Sequence, residues 1–135
     1  MVKGWMSKSA GIASSNLAGS GSLFTEQFSF DVPSGKKAIL RGIGASMPPS
    51  LYYYHHVRIL VNGSPVWARD KLPIGKVTTP TELWIEVEPG STVLVEAYQT
   101  NPATRYIDYI MEYLEAPKNL PTEPPIFYPG ISKEF

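Results

Sequence analysis

The densest run of chemistry-bearing side chains is Leu51-Tyr52-Tyr53-Tyr54-His55-His56, flanked by Pro48-Pro49. Two imidazoles raise the question of a metal site or a catalytic triad. On a strand, adjacent side chains point to opposite faces, so His55 and His56 cannot chelate one ion together. A His-x-His motif with a following Glu and a later His is not present. Composition supplies Ser, His and Asp, but no Gly-x-Ser-x-Gly elbow singles out one serine as a nucleophile. Glu86, Glu88 and Glu96 offer paired carboxylates, but their spacing reads as the solvated face of strands. A glycosidase needs its carboxylates facing each other across a cleft. No Gly-rich loop follows a strand and opens a helix, and Gly42-x-Gly44 lies inside a strand pattern, where a bulge is the simpler role. These residues imply no catalytic set, no metal and no cofactor, so the chain reads as a binding or structural protein and not as an enzyme.

The tyrosines are better suited to contact than to catalysis. Three in a row place rings on both faces of a strand. Those facing outward supply rigid, amphipathic contact area at low entropic cost. One reading is a subunit or ligand contact over Tyr52, Tyr53, Tyr54 and His55, including a sugar stacked on Tyr52 or Tyr54. The other is one buried tyrosine with two lying along the sheet surface. Trp67 and Trp84, on strands with polar neighbours, favour the contact reading.

The elements that carry these residues alternate with period two. Phe24, Phe28, Phe30 and Val32 alternate with Thr25, Gln27, Ser29 and Asp31, which predicts a strand with three aromatics on one buried face. Pro33-Ser34-Gly35-Lys36 then reads as a tight turn. Further strands are predicted over 37–46, 52–61, 66–69, 82–87 and 92–99. Asn62-Gly63 marks a hairpin, because a type I′ turn needs positive φ twice. Glu88-Pro89-Gly90-Ser91 marks another turn. Residues 105–115 are ambiguous: Ile107, Ile110, Met111 and Leu114 fit a helical stripe, whereas the density of aromatic and β-branched residues favours a strand. The strand is the reading adopted. About 7–8 short antiparallel strands with turn chemistry between them predict one all-β domain, a β-sandwich over residues 23–115.

The two ends lack that pattern. Residues 1–22 form a Gly/Ser/Ala-rich arm with no strand or helix period, expected to be flexible alone. It carries Trp5, Met6 and Ile12, which read either as anchors for a neighbour or as a frayed end with a stray tryptophan. Residues 116–135 hold five of the thirteen prolines and are expected to be extended. Phe127, Tyr128 and Phe135 make this tail too apolar to be merely solvating. It is expected to pack on its own sandwich or on a neighbour, as a low-entropy clamp.

Bulk composition excludes several classes. Twelve Lys+Arg balance twelve Asp+Glu, so no basic field points to nucleic acid or to an anionic membrane. The absence of cysteine removes disulfides, thiolate metal sites and a Cys nucleophile. The N-terminal residues are small and polar, unlike a secretory signal, and no run of about 20 apolar residues is present to span a membrane.

Four segments together resemble a known group: Phe28-Ser-Phe-Asp-Val-Pro-Ser-Gly-Lys, Ala38-Ile-Leu-Arg-Gly-Ile, Val57-Arg-Ile-Leu-Val-Asn-Gly-Ser-Pro-Val and Leu83-Trp-Ile-Glu-Val-Glu-Pro-Gly-Ser-Thr-Val-Leu-Val. Their strand-and-turn style is similar to that of small jelly-roll proteins of virus particles, the head-decoration, minor capsid and spike-base proteins of tailed phages and related viruses. The resemblance covers about residues 23–115 and carries no binding residue across. It implies a jelly-roll-like sandwich in a virion, made in the host cytoplasm and bound to a major capsid or other virion protein. It also implies a homo-oligomer, with a trimer favoured, whose terminal arms reach across neighbours. The alternative expectation is a carbohydrate- or receptor-binding module that uses Tyr52, Tyr54, Trp67 or Trp84.

Overall fold

Where apolar side chains recur at every second position, the chain is extended. A computed structural model describes residues 4–48, 51, 54–70 and 75–121, and Tyr52, Tyr53, Phe127, Tyr128 and Phe135 lie outside the described residues. The strands are β1 (Met6–Leu17), β2 (Thr25–Asp31), β3 (Lys36–Ser46), β4 (His55–Val61), β5 (Ser64–Asp70), β6 (Thr81–Val87), β7 (Thr92–Gln99) and β8 (Arg105–Pro117). They form two antiparallel four-stranded sheets, ordered β1-β8-β3-β6 and β2-β7-β4-β5. The pairs β1–β8 and β3–β6 in one sheet, and β2–β7 and β4–β5 in the other, are nested in sequence. The chain thus runs as one long hairpin of paired strands folded over itself. Its tip is the β4–β5 turn, and its two ends lie side by side.

The sheets pack face to face as a β-sandwich. Leu40, Ile43, Val57, Ile59, Val95 and Met111 are fully buried between them. Each such side chain contributes about 1.5–3 kcal/mol of transfer free energy. Phe30 of β2 stacks on Tyr113 of β8 across the interior, with ring centroids 4.6 Å apart. β8 is a strand because its inward positions Ile107, Tyr109, Met111 and Tyr113 alternate with exposed Tyr106, Asp108 and Glu112. A helix would have put Ile110 and Leu114 on the same face as Ile107. Instead they lie on the outer face.

The turns follow their chemistry. Asn62 and Gly63 have φ of 51° and 82°, which gives the β4–β5 hairpin its two positive-φ residues. The Asn62 side chain also accepts from the Thr92 amide (2.9 Å) and donates to Ser91 Oγ (3.1 Å), tying the tip to the start of β7. Gly44 serves a different need: a Cβ there would lie 2.4 Å from the Lys76 carbonyl oxygen, so the segment after β5 crosses β3 at backbone contact.

Three expectations require correction. The expected flexible arm contains β1, which pairs with β8 from Met6↔Glu115 to Leu17↔Arg105. An edge strand can be held by backbone hydrogen bonds with few buried side chains, so it needs no apolar alternation. In β1 only Ser15 and Leu17 are buried. At the other end β8 continues through Ala116 and Pro117, so the sandwich spans more than residues 23–115. Finally, Phe24, Phe28 and Phe30 do not share one face. The β2–β7 register shifts between Glu26 and Phe28, and Gln27 is buried there. A bulge inverts the alternation, so Phe28 and Phe30 point inward and Phe24 outward. The same happens in β3, where a shift between Leu40 and Gly42 sends Ile39 outward while Ile43 and Ala45 face the core.

Among the described residues no helix is long and apolar enough to cross a membrane, which says nothing of a strand-built barrel.

Candidate functional site

The His55-His56 pair is split between the faces of β4. His55 points inward, 1% exposed, with Nε2 2.7 Å from the hydroxyl of Tyr109. Burial, and secondarily His56, pulls the His55 imidazole down from its usual 6.5 to about 4. Burial pushes the Tyr109 phenol up. A neutral base and a neutral phenol sealed in the core can position the sheets but cannot meet a reactant. His55, expected as part of a contact surface, is therefore an interior tie.

Other polar groups are buried near it. Gln99 faces His55 in the β4–β7 register and donates its amide to the carbonyls of Leu17 (2.8 Å) and Ala103 (3.0 Å). Ser15 donates to Gln27 Oε1 at 2.6 Å. Neither glutamine is singled out by sequence reasoning. Gln99 was findable, since it continues the inward series Val93, Val95, Ala97. Gln27 was not, because the bulge moves it off the polar face.

The outer face of the β2-β7-β4-β5 sheet carries a continuous ladder. His56 stacks on Tyr98 (4.3 Å, interplanar 6°), and Tyr98 meets Phe24 edge-on at 4.8 Å. The guanidinium of Arg58 lies 4.1 Å from the Phe24 centroid and 2.8 Å from Glu96 Oε1. Tyr54, in the turn that precedes β4, is 46% exposed.

The outer face of the other sheet is more sculpted. Trp84 is 46% exposed, with the Arg41 guanidinium 5.2 Å from its ring. Arg41 also lines a groove of about 510 Å³ whose walls include Ser7, Ser9, Ile110, Glu112 and Leu114. The small residues of β1 leave this groove open. A second groove, of about 320 Å³, lies at the corner where Trp5 meets residues 118–120 and is lined by Trp5, Lys37, Ile39, Glu86, Pro89 and Lys118. Trp5 is 4% exposed there, packed with Ile39, Ala116, Leu114 and Leu120. The ammonium of Lys37 lies 5.7 Å from the Trp5 ring and donates to the Leu120 carbonyl. Trp5 thus anchors its own chain and is not left free for a neighbour. The indole is satisfied by apolar partners on β3 and β8 that are close only in the folded sandwich.

No family model and no curated protein matches this chain.

The aromatic residues expected to act together are dispersed. Tyr54 and Trp84 are exposed, but Tyr54 sits in the turn before β4 and Trp84 on β6, strands of different sheets. Trp67 is half-buried against the core, with the Arg69 guanidinium 5.5 Å from its ring. Among the described residues no three His, Asp or Glu side chains converge as a metal site would require. Among the described residues the geometry supplies surface: an aromatic ladder, a Trp–Arg pair beside a groove, and a corner where Trp5 packs on Leu120.

Proposed function

We propose that this chain is a non-enzymatic structural virion protein, which binds a capsid or tail lattice and decorates or reinforces it through its sandwich and its terminal segments. The nested pairing β1–β8, β2–β7, β3–β6 and β4–β5 in two four-stranded sheets supports a jelly roll, an architecture used by viral capsid domains and also by lectins. Fold alone does not select among these uses. The observation that carries the reading is the shared exit of the two ends. β1 and β8 are neighbours, and Trp5 packs on Leu120, so the chain beyond Pro121 starts beside the N-terminal residues. That stretch contains Ile126, Phe127, Tyr128, Ile131 and Phe135. An apolar, proline-rich segment issuing from a fixed corner suits a clamp on a neighbouring subunit or on a shell protein, and a homotrimer is the assembly proposed.

Removing residues 1–22 is not a clean test, because it deletes β1. Stopping the chain after Pro121 leaves all eight strands in place. The shortened protein should melt like the full chain yet fail to cosediment with virus shells. Undiminished cosedimentation overturns the proposal.

A second reading, a carbohydrate- or receptor-binding module, is favoured by Trp84. An exposed indole beside Arg41, which itself lines the groove with Glu112, sets a flat apolar ring at hydrogen-bonding groups. A glycan array hit that disappears in Trp84→Ala would select this reading, whereas an empty array removes it.

A further inference from the structure

Four strands lie at sheet edges, and three are visibly blunted. β6 carries Glu82 and Glu86, β2 carries Glu26, Asp31 and the bulge at Gln27, and β5 carries Pro65 and Arg69. Charges, prolines and bulges are the devices that keep edges from pairing with other chains. β1 is different. From Met6 to Ile12 it runs in unbroken register with β8, from Glu115 to Tyr109, and the irregularity begins only beyond Ile12. The single charge in this stretch, Lys8, is turned to its own Glu115, Nζ to Oε1 3.3 Å. The row of backbone groups on the far side of these seven residues faces no strand of this chain among the described residues.

The stretch is also self-complementary. Met6 and Ile12 are exposed apolar side chains, 59% and 38%. Both lie on the same face of β1, since they occupy positions of equal parity. If two copies pair antiparallel about a two-fold axis at Ser9, each Met6 falls opposite the other copy's Ile12, and each Lys8 opposite an Ala10. Ser7 then meets Gly11, and Ser9 meets itself. Exposed apolar groups cover one another, and no like charges are opposed. We infer that β1 is a homotypic interface: two copies of this chain join edge to edge through Met6–Ile12, in the register centred on Ser9, making one continuous eight-stranded sheet. The inference does not depend on the virion reading, and it is compatible with other contacts that build a larger assembly.

Cross-linking reads the register directly. Opposed residues in an antiparallel pair have Cα atoms about 4.5–5.5 Å apart, within reach of a disulfide, and the chain has no cysteine of its own. Under mild oxidation of the full chain, Ser9→Cys should give a covalent dimer on a denaturing gel, while Ser7→Cys should remain monomeric there. Met6→Lys with Ile12→Lys, added to Ser9→Cys, should abolish the cross-link. Met6→Lys with Ile12→Glu should restore it, because opposite charges then face each other. A Ser9→Cys yield no greater than that of Ser7→Cys, or a cross-link indifferent to the charge pairs, overturns the inference.

Discussion

His55 Nε2, on β4, lies 2.7 Å from the Tyr109 hydroxyl, on β8, so one buried hydrogen bond ties the two sheets through the core. The imidazole titrates near 4 in the folded chain and near 6.5 when unfolded. Between those values the unfolded state binds a proton that the folded state does not. This contribution is therefore present above about pH 6.5 and is lost as pH falls toward about 4. The maximum loss is about 3 kcal/mol, of which about 2 kcal/mol falls between about pH 7 and about pH 5. Urea unfolding at the two pH values should show that slope in the parent chain and a flatter one in His55→Gln, which can still hydrogen-bond Tyr109 without titrating. Equal slopes would remove His55 as the origin.

The Trp5 anchor makes a second prediction. Its indole is buried against Ile39, Ala116 and Leu120, so Trp5→Ala should cost about 3 kcal/mol. The damage should be local, since β1 and the C-terminal end of β8 are held together at this corner. Hydrogen exchange should accelerate at Met6–Ile12 before it does at the centre of β7. A uniform loss of protection would mean that the corner and the main core unfold as one unit.

Most of the sandwich was legible because its strands bury one face and alternate. β6, β7 and β8 follow the apolar periodicity, and the Asn62-Gly63 hairpin follows its turn chemistry. What escaped the sequence has specific physical causes. β1 is an edge strand held mainly by backbone pairing with β8, and Ser, Ala and Gly at its positions give no apolar signal. The bulges at Gln27 and Arg41 invert the alternation without any composition cue, so Phe24 was assigned to the wrong face. The candidate surfaces were less legible still. Trp5 and His55 are large or polar residues whose partners, Leu120 and Tyr109, are distant in sequence. The Arg41–Trp84 pair requires knowing that β3 lies beside β6.

The ladder on the outer face of the β2-β7-β4-β5 sheet predicts measurable coupling. Arg58 is shared between Glu96 and the face of Phe24, and both ionic side chains are partly shielded, at 31% and 16% exposure. A double-mutant cycle with Arg58→Ala and Glu96→Ala should give a coupling of about 1 kcal/mol, reduced by added salt. A second cycle, pairing Arg58→Ala with Phe24→Ala, should retain its coupling in salt better, because the ring contact also buries apolar area. Zero coupling in both cycles would show that the ladder is only an arrangement of neighbours.

Two glycines separate backbone strain from steric exclusion. Gly63 has φ of 82° with open space around it, so Gly63→Ala meets no atom and suffers only the cost of a left-handed conformation, about 1–2 kcal/mol. Gly44 has ordinary strand geometry, but a Cβ would lie 2.4 Å from a backbone oxygen of Lys76, which cannot move without displacing the segment that leads into β6. Gly44→Ala should therefore cost more than Gly63→Ala and should also disturb β6. The amide shifts it causes should reach Thr81 and Glu82, whereas those from Gly63→Ala should stay within the β4–β5 turn and the Asn62 contacts to Ser91 and Thr92. If the two substitutions cost the same and perturb only their own turns, the close crossing of β3 by residues 75–77 is not a feature of the folded protein in solution.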